Sequence, residues 1–302
     1  MTNDIDHSRG REGAGGTEKF RSRVKRMTEA NKLLLLPAIA VIICFFLYPI
    51  LTIVWDSFTD PKPGFQNYVK LLNDNVTIEV LWRTLVTTVF VTLGTLILAY
   101  PYAYAMTLVS GGARRVMMLV VLVPFWTSLM ARTFSWYVIE QRGGVIAEFF
   151  SFFGLDVVLL GSIAGVAVAM IQVMLPFMVL PLYSGLSGID LRLLDAAKTL
   201  GANRFRTFRD IYLPLSVPAM ASGASLVFII TLGFYVTPAL LGSPREAMLS
   251  QIIAMRVNDL LDFAGAGALG LLLFVLTLAV VVLLSRMGNL TSVSGAKVVT
   301  HD

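Results

Sequence analysis

Side chains able to do chemistry are scarce in this sequence, and many of them gather between Asp190 and Pro218. Arg192, Lys198, Arg204, Arg206 and Arg209 stand there with Asp190, Asp195 and Asp210, and a strongly apolar stretch lies on either side. No histidine accompanies the charges: His7 and His301 lie close to the chain ends, which removes a histidine base or metal ligand from the apolar body. No Walker A, H-E-x-x-H, G-x-S-x-G or Rossmann glycine pattern occurs, so the sequence offers no phosphate cradle, zinc-protease site or nucleophile elbow. What the charged interval can do is pair with charges on another surface and fix its orientation. Neither catalysis nor a metal site is expected of this chain.

The interval reads as a helix, a break and a second helix. Leu193, Leu194, Ala197 and Leu200 recur on one face, and Gly201 stands where a left-handed residue ends a helix. Asn203 is placed to cap the next helix, on which Phe205, Phe208 and Tyr212 share a side, and Pro214 and Pro218 are expected to stop it. The result is a short charged elbow hung between two apolar segments.

Those segments set the class. Hydrophobic residues make up 56% of the chain and charged residues 14%, against about 45–50% and about 25% in soluble domains. The chain reads as an all-α integral membrane protein. Residues 1–32 form a polar, glycine-containing cytoplasmic tail, residues 33–285 a six-span domain with the elbow at 190–218, and residues 286–302 a second tail. The six apolar stretches are Leu33–Trp55, Thr84–Ala113, Val116–Ile139, Val157–Ile189, Ile211–Pro244 and Phe263–Ser285. With the N-terminus inside, 17 of the 24 Lys and Arg residues fall in cytoplasmic segments, which puts the elbow and both termini in the cytoplasm. The net charge of +5 therefore reflects membrane topology, not nucleic-acid binding. The single Cys44 sits in an apolar run and forbids an internal disulfide.

Within the spans, Arg132 is the one clear charge, near the outer boundary, where it serves either as a snorkelling anchor or in a pathway. Asp56, Glu140, Glu148 and Asp156 fall at or beyond the external ends, so the intramembrane acids of a proton-coupled carrier are missing. Trp126, Trp136, Phe234 and Tyr235 could offer aromatic faces to a cation, and with Arg132 and Gln172 they make up the candidate substrate pathway.

Asp195-Ala196-Ala197, three residues, Gly201, nine residues, Ile211, one residue, Leu213-Pro214 resembles the EAA motif of permease subunits of binding-protein-dependent ABC importers, with Asp195 in place of the usual Glu. Pro124–Trp136 (PFWTSLMARTFSW), LPLYSGLSGID before the elbow and GFQNYVKLL after the first span are similar to the spermidine/putrescine-type branch. The resemblance implies a MetI-like fold of the type I importer class in the bacterial inner membrane. It implies as partners a second permease subunit, an ABC ATPase dimer holding ATP and Mg, and a periplasmic substrate-binding protein. It makes Asp195, Ala196, Ala197, Gly201, Arg204, Phe205, Phe208, Ile211, Leu213 and Pro214 the ATPase-coupling residues. The solute it implies is a polyamine or similar small organic cation; related permeases move opines and amino-acid derivatives. The elbow and the missing acids argue against an autonomous carrier or channel.

Overall fold

The computed structural model describes residues 37, 39–60 and 62–296, which are helical with short connections and, among the described residues, without strands. The tail at 1–32 lies outside the described residues. Residues up to Asp56 form one unit and residues from Ser57 another. In the first, the helix that begins the described chain, α1 (Ile39–Thr59), carries Phe45, Phe46 and Trp55 exposed, as a helix meeting lipid tails should.

The second unit is a bundle built on α3 (Asn75–Leu108), α7 (Ile163–Ser187), α9 (Arg204–Leu232) and α12 (Phe263–Ala296). Between them come α2 (Gln66–Asn73), α4 (Gly111–Trp126), α5 (Leu129–Glu140), α6 (Val145–Ser151), α8 (Leu191–Thr199), α10 (Val236–Leu241) and α11 (Leu249–Asn258). Its core is a contiguous cluster that draws Val91, Ala99, Ala103 and Met106 from α3, Met170, Met174, Met178 and Leu182 from α7, and Tyr212 and Val227 from α9. The three α7 methionines recur every four residues and so line one helix face. Opposite Met178, Gly223 of α9 leaves no room for a side chain: a Cβ there would stand 2.8 Å from the methionine sulfur. Small residues at such crossings let backbones approach where no hydrophobic force separates helix from lipid. α3 adds a buried threonine file; Thr84 Oγ1 donates to the Val80 carbonyl at 2.7 Å and accepts from the Leu249 amide at 2.9 Å, tying α3 to α11. On the outer faces Phe90, Ile97 and Phe274 remain exposed.

Among the described residues five helices are long and apolar enough to cross a membrane, and a sixth span exists if α4 and the α5–α6 segment count as one. That pair bends by 96° around Thr127–Ser128, so the expected third span Val116–Ile139 is not a straight helix. Pro124 removes one backbone donor, the helix tightens into a 3₁₀ turn at Val123–Trp126, and Thr127 folds back on the Pro124 carbonyl through its amide at 3.2 Å and its hydroxyl at 2.8 Å. Pro101 in α3 and Pro176 and Pro181 in α7 interrupt nothing. α12 continues to Ala296, past the Ser285 expected as the end of the sixth span.

Candidate functional site

The elbow assembles as its capping residues dictate. Asp190 Oδ1 accepts the Arg192 amide at 2.9 Å and starts α8. At the other end Ala202 N donates to the Ala197 carbonyl and Gly201 N to the Lys198 carbonyl, both at 3.0 Å, the paired bonds of a Schellman stop. Gly201 adopts φ +88°, the left-handed conformation that such a stop requires. Two residues on, Asn203 Oδ1 accepts the Arg206 amide at 2.8 Å and starts α9. Two short caps around one glycine thus fix the angle between α8 and α9.

Pro214 and Pro218 do not stop the second helix. α9 runs unbroken from Arg204 to Leu232, so the elbow's second arm is continuous with a membrane-length helix. A wide π turn at Phe208–Tyr212 precedes the prolines, which then sit in the first turn and interior of Leu213–Leu232. The wider turn re-registers the backbone where Pro214 supplies no donor.

The two phenylalanines part company. Phe205 is 71% exposed, as is Leu200 at 88%, and both present apolar surface at the tip of the elbow. Phe208 instead turns into the bundle: its ring lies 5.8 Å from Tyr104, 6.3 Å from Tyr100 and 5.8 Å from Tyr212. It therefore anchors the elbow to α3 through a ring that is half-buried. Asp195 Oδ1 receives Lys198 Nζ at 2.8 Å on the exposed face, with Ala196 exposed beside it and Ala197 buried beneath. Ile211 and Leu213 are half-buried, Pro214 exposed. Between α8, the start of α9 and the end of α3 lies a cavity of about 420 Å³, lined in part by Tyr104, Asp195, Lys198, Arg204 and Phe208.

The pathway candidates also divide. Arg132 and Phe234 line one cavity of about 170 Å³ together with Phe125, Leu129, Val173 and Phe177, the last two contributed by α7. One turn from Arg132 on α5, Trp136 Nε1 donates to Gln172 Oε1 of α7 at 3.3 Å. Trp126, 74% exposed, and Tyr235, also exposed, join neither group. Phe125 and Phe177, which pack 5.1 Å apart, were not singled out by sequence. Neither was Glu140, expected at an outer surface but 0% exposed at the C-terminal end of α5. Its spacing of four from Trp136 and eight from Arg132 is the signal that puts all three on one helix face. Among the described residues no group of His, Cys, Asp and Glu could hold a metal ion.

An apolar helical bundle with a charged elbow at one end and a sparse polar seam inside fits a membrane permease. The chain belongs to the family of binding-protein-dependent transport system inner membrane components, whose model matches residues 96–289. It is a non-catalytic, multi-pass permease subunit of an ABC importer, in which ATP is hydrolysed by a partner ATPase. The spermidine/putrescine transport system permease protein PotB of Escherichia coli (strain K12) is 29% identical over 233 residues, 74% of this chain and 84% of the relative. The inner membrane ABC transporter permease protein YdcU of the same organism is 31% identical over 219 residues, 65% of this chain and 70% of the relative. Among solved structures, a chain of a bacterial alginate ABC transporter, crystallised with an alginate pentasaccharide-bound periplasmic protein, superposes with TM-score 0.71 at 22% identity, covering 88% of this chain and 96% of the other. That likeness fixes the fold as that of an ABC permease.

Proposed function

We propose that this chain is one half of the transmembrane channel of an importer for polyamines, spermidine or putrescine, or a close organic cation. Its partners in this reading are a second permease subunit, a dimeric ATPase that carries ATP and Mg, and a periplasmic binding protein. The carrying observation is the elbow: Asp190, Gly201 and Asn203 fix its angle, its tip presents Phe205 and Leu200, and its second arm continues into α9. A push on such a lever tilts a membrane-length helix, which is what conversion between inward- and outward-facing states requires. The polyamine assignment is supported by the likeness to PotB. The Lys and Arg distribution supports cytoplasmic placement of the elbow and both termini.

A second solute class follows from Arg132. Its guanidinium faces an aromatic cavity, and its buried Nε has no hydrogen-bond partner. Such a donor favours an anionic group, so a zwitterionic amino-acid derivative suits that cavity better than a polycation. One experiment decides both questions. The complete complex in proteoliposomes should take up labelled putrescine or spermidine only with ATP and loaded binding protein. Uptake by this chain alone overturns the importer reading; uptake of amino-acid derivatives but not polyamines selects the second solute class.

A further inference from the structure

We propose that Glu140 is the carboxylate that receives an ammonium group of the transported solute at the end of the bundle away from the elbow. The proposal rests on the reading of the solute as an organic cation or ammonium-bearing zwitterion. Glu140 is fully buried, yet neither carboxylate oxygen has a hydrogen-bond partner among the described residues. A buried carboxylate without a donor is expensive. Glu140 Oε2 lies 2.5 Å from the point that a Cβ on residue 165 would occupy, and residue 165 is glycine. The Leu159 carbonyl that bounds the same gap already accepts the Ser162 amide at 3.1 Å and the Ser162 hydroxyl at 2.6 Å. The carboxylate is thus the acceptor left there without a donor, and a positively charged group with several N–H donors is its complement.

Position along the seam supports the same assignment. Glu140, Trp136 and Arg132 follow one another at intervals of four on α5, so about 12 Å of helix separates the acid from the arginine. Between them lies the Trp136 indole, held by Gln172, whose face is an intermediate resting place for a cation. Covering Glu140 is the 159–162 loop: Leu160 N donates to the Glu140 carbonyl at 3.3 Å, and Gly161, at φ +82°, donates to the Leu241 carbonyl at 2.8 Å.

The test uses the whole complex in proteoliposomes with its binding protein loaded with labelled putrescine. Glu140→Gln keeps the shape and removes the charge; uptake should fall by about tenfold or more, the scale of one charge-assisted hydrogen bond, while assembly and basal ATP hydrolysis stay unchanged. Glu140→Asp, which keeps the charge, should recover a measurable part. Independently of any variant, carbodiimide activation of the wild-type complex loaded with putrescine should couple a putrescine amine to Glu140 as an amide, with the urea leaving, read by mass spectrometry. Undiminished uptake by Glu140→Gln, or no putrescine amide at Glu140, overturns the assignment. A wild-type complex that moves no ammonium-bearing solute overturns the reading beneath it instead.

Discussion

Glu140 and Gly165 are mutually dependent: the carboxylate of one lies where the side chain of any other residue at 165 would begin. The Leu159 carbonyl bounds the same gap, so a methyl group there meets backbone on one side and a carboxyl on the other. Gly165→Ala should therefore lower the stability of the purified complex by on the order of 1–3 kcal/mol, measured by thermal unfolding in detergent. Shortening the acid with Glu140→Ala in the same chain should restore part of that loss. Additive effects of the two changes would show that they do not share the space.

The elbow gives a sharper contrast at Gly201. Nothing lies within 4 Å of a Cβ built there, so a larger side chain meets no obstacle and only the left-handed backbone opposes it. Gly201→Val should cost about 1–2 kcal/mol locally and reduce ATP-coupled uptake, with membrane insertion intact. Gly201→Asn, whose side chain tolerates that conformation, should transport nearly normally. Equal transport by both variants would remove the glycine from the coupling device.

Phe205 and Phe208 should fail in different ways. Truncating Phe208 to Ala opens a hole between Tyr100, Tyr104 and Tyr212 and should destabilise this chain by on the order of 3 kcal/mol. Phe205→Asp changes only exposed surface; the chain should fold and insert normally and fail in co-purification with the ATPase. If Phe208→Ala leaves unfolding unchanged, its ring is not the anchor that the aromatic cluster makes it.

Which parts of this were legible in the sequence depended on range. The cap at Asn203 and the stop at Gly201 act within a few residues, so spacing alone locates the elbow, whereas the cap that Asp190 provides to α8 is seen only in the structure. Pro214 and Pro218 misled because their usual effect is judged on a regular helix, whereas a π turn upstream absorbs the missing donor. Phe205 and Phe208 read as one face by spacing, and only the arrival of α3 separates them. Glu140 was hidden for a similar reason. Its burial is made by Leu159–Ser162 folding back over the end of α5 and by the first turn of α7, contacts that no local pattern announces.

Asp74 opens a test by pH at the end of α3 away from the elbow. Its carboxylate accepts the Thr77 hydroxyl at 2.7 Å and the Val76 and Thr77 amides at 3.2 and 3.3 Å, capping the helix just outside the span. The Thr77 hydroxyl is the main cause that holds the carboxyl below its ordinary range; burial opposes it, and the two amides and the charge of Arg256 add to the lowering. A group that ionises more readily folded than unfolded stabilises the fold above its unfolded pKa, and that contribution is lost as pH falls through the lowered folded value. Exchange protection of the Val76 and Thr77 amides should therefore be flat from neutral pH down to the ordinary carboxylate range and decline below it. Asp74→Ala should reduce protection at neutral pH and abolish the acid decline, since no titrating cap remains. A wild-type profile that persists in Asp74→Ala would remove the Asp74 cap as the source of the acid sensitivity.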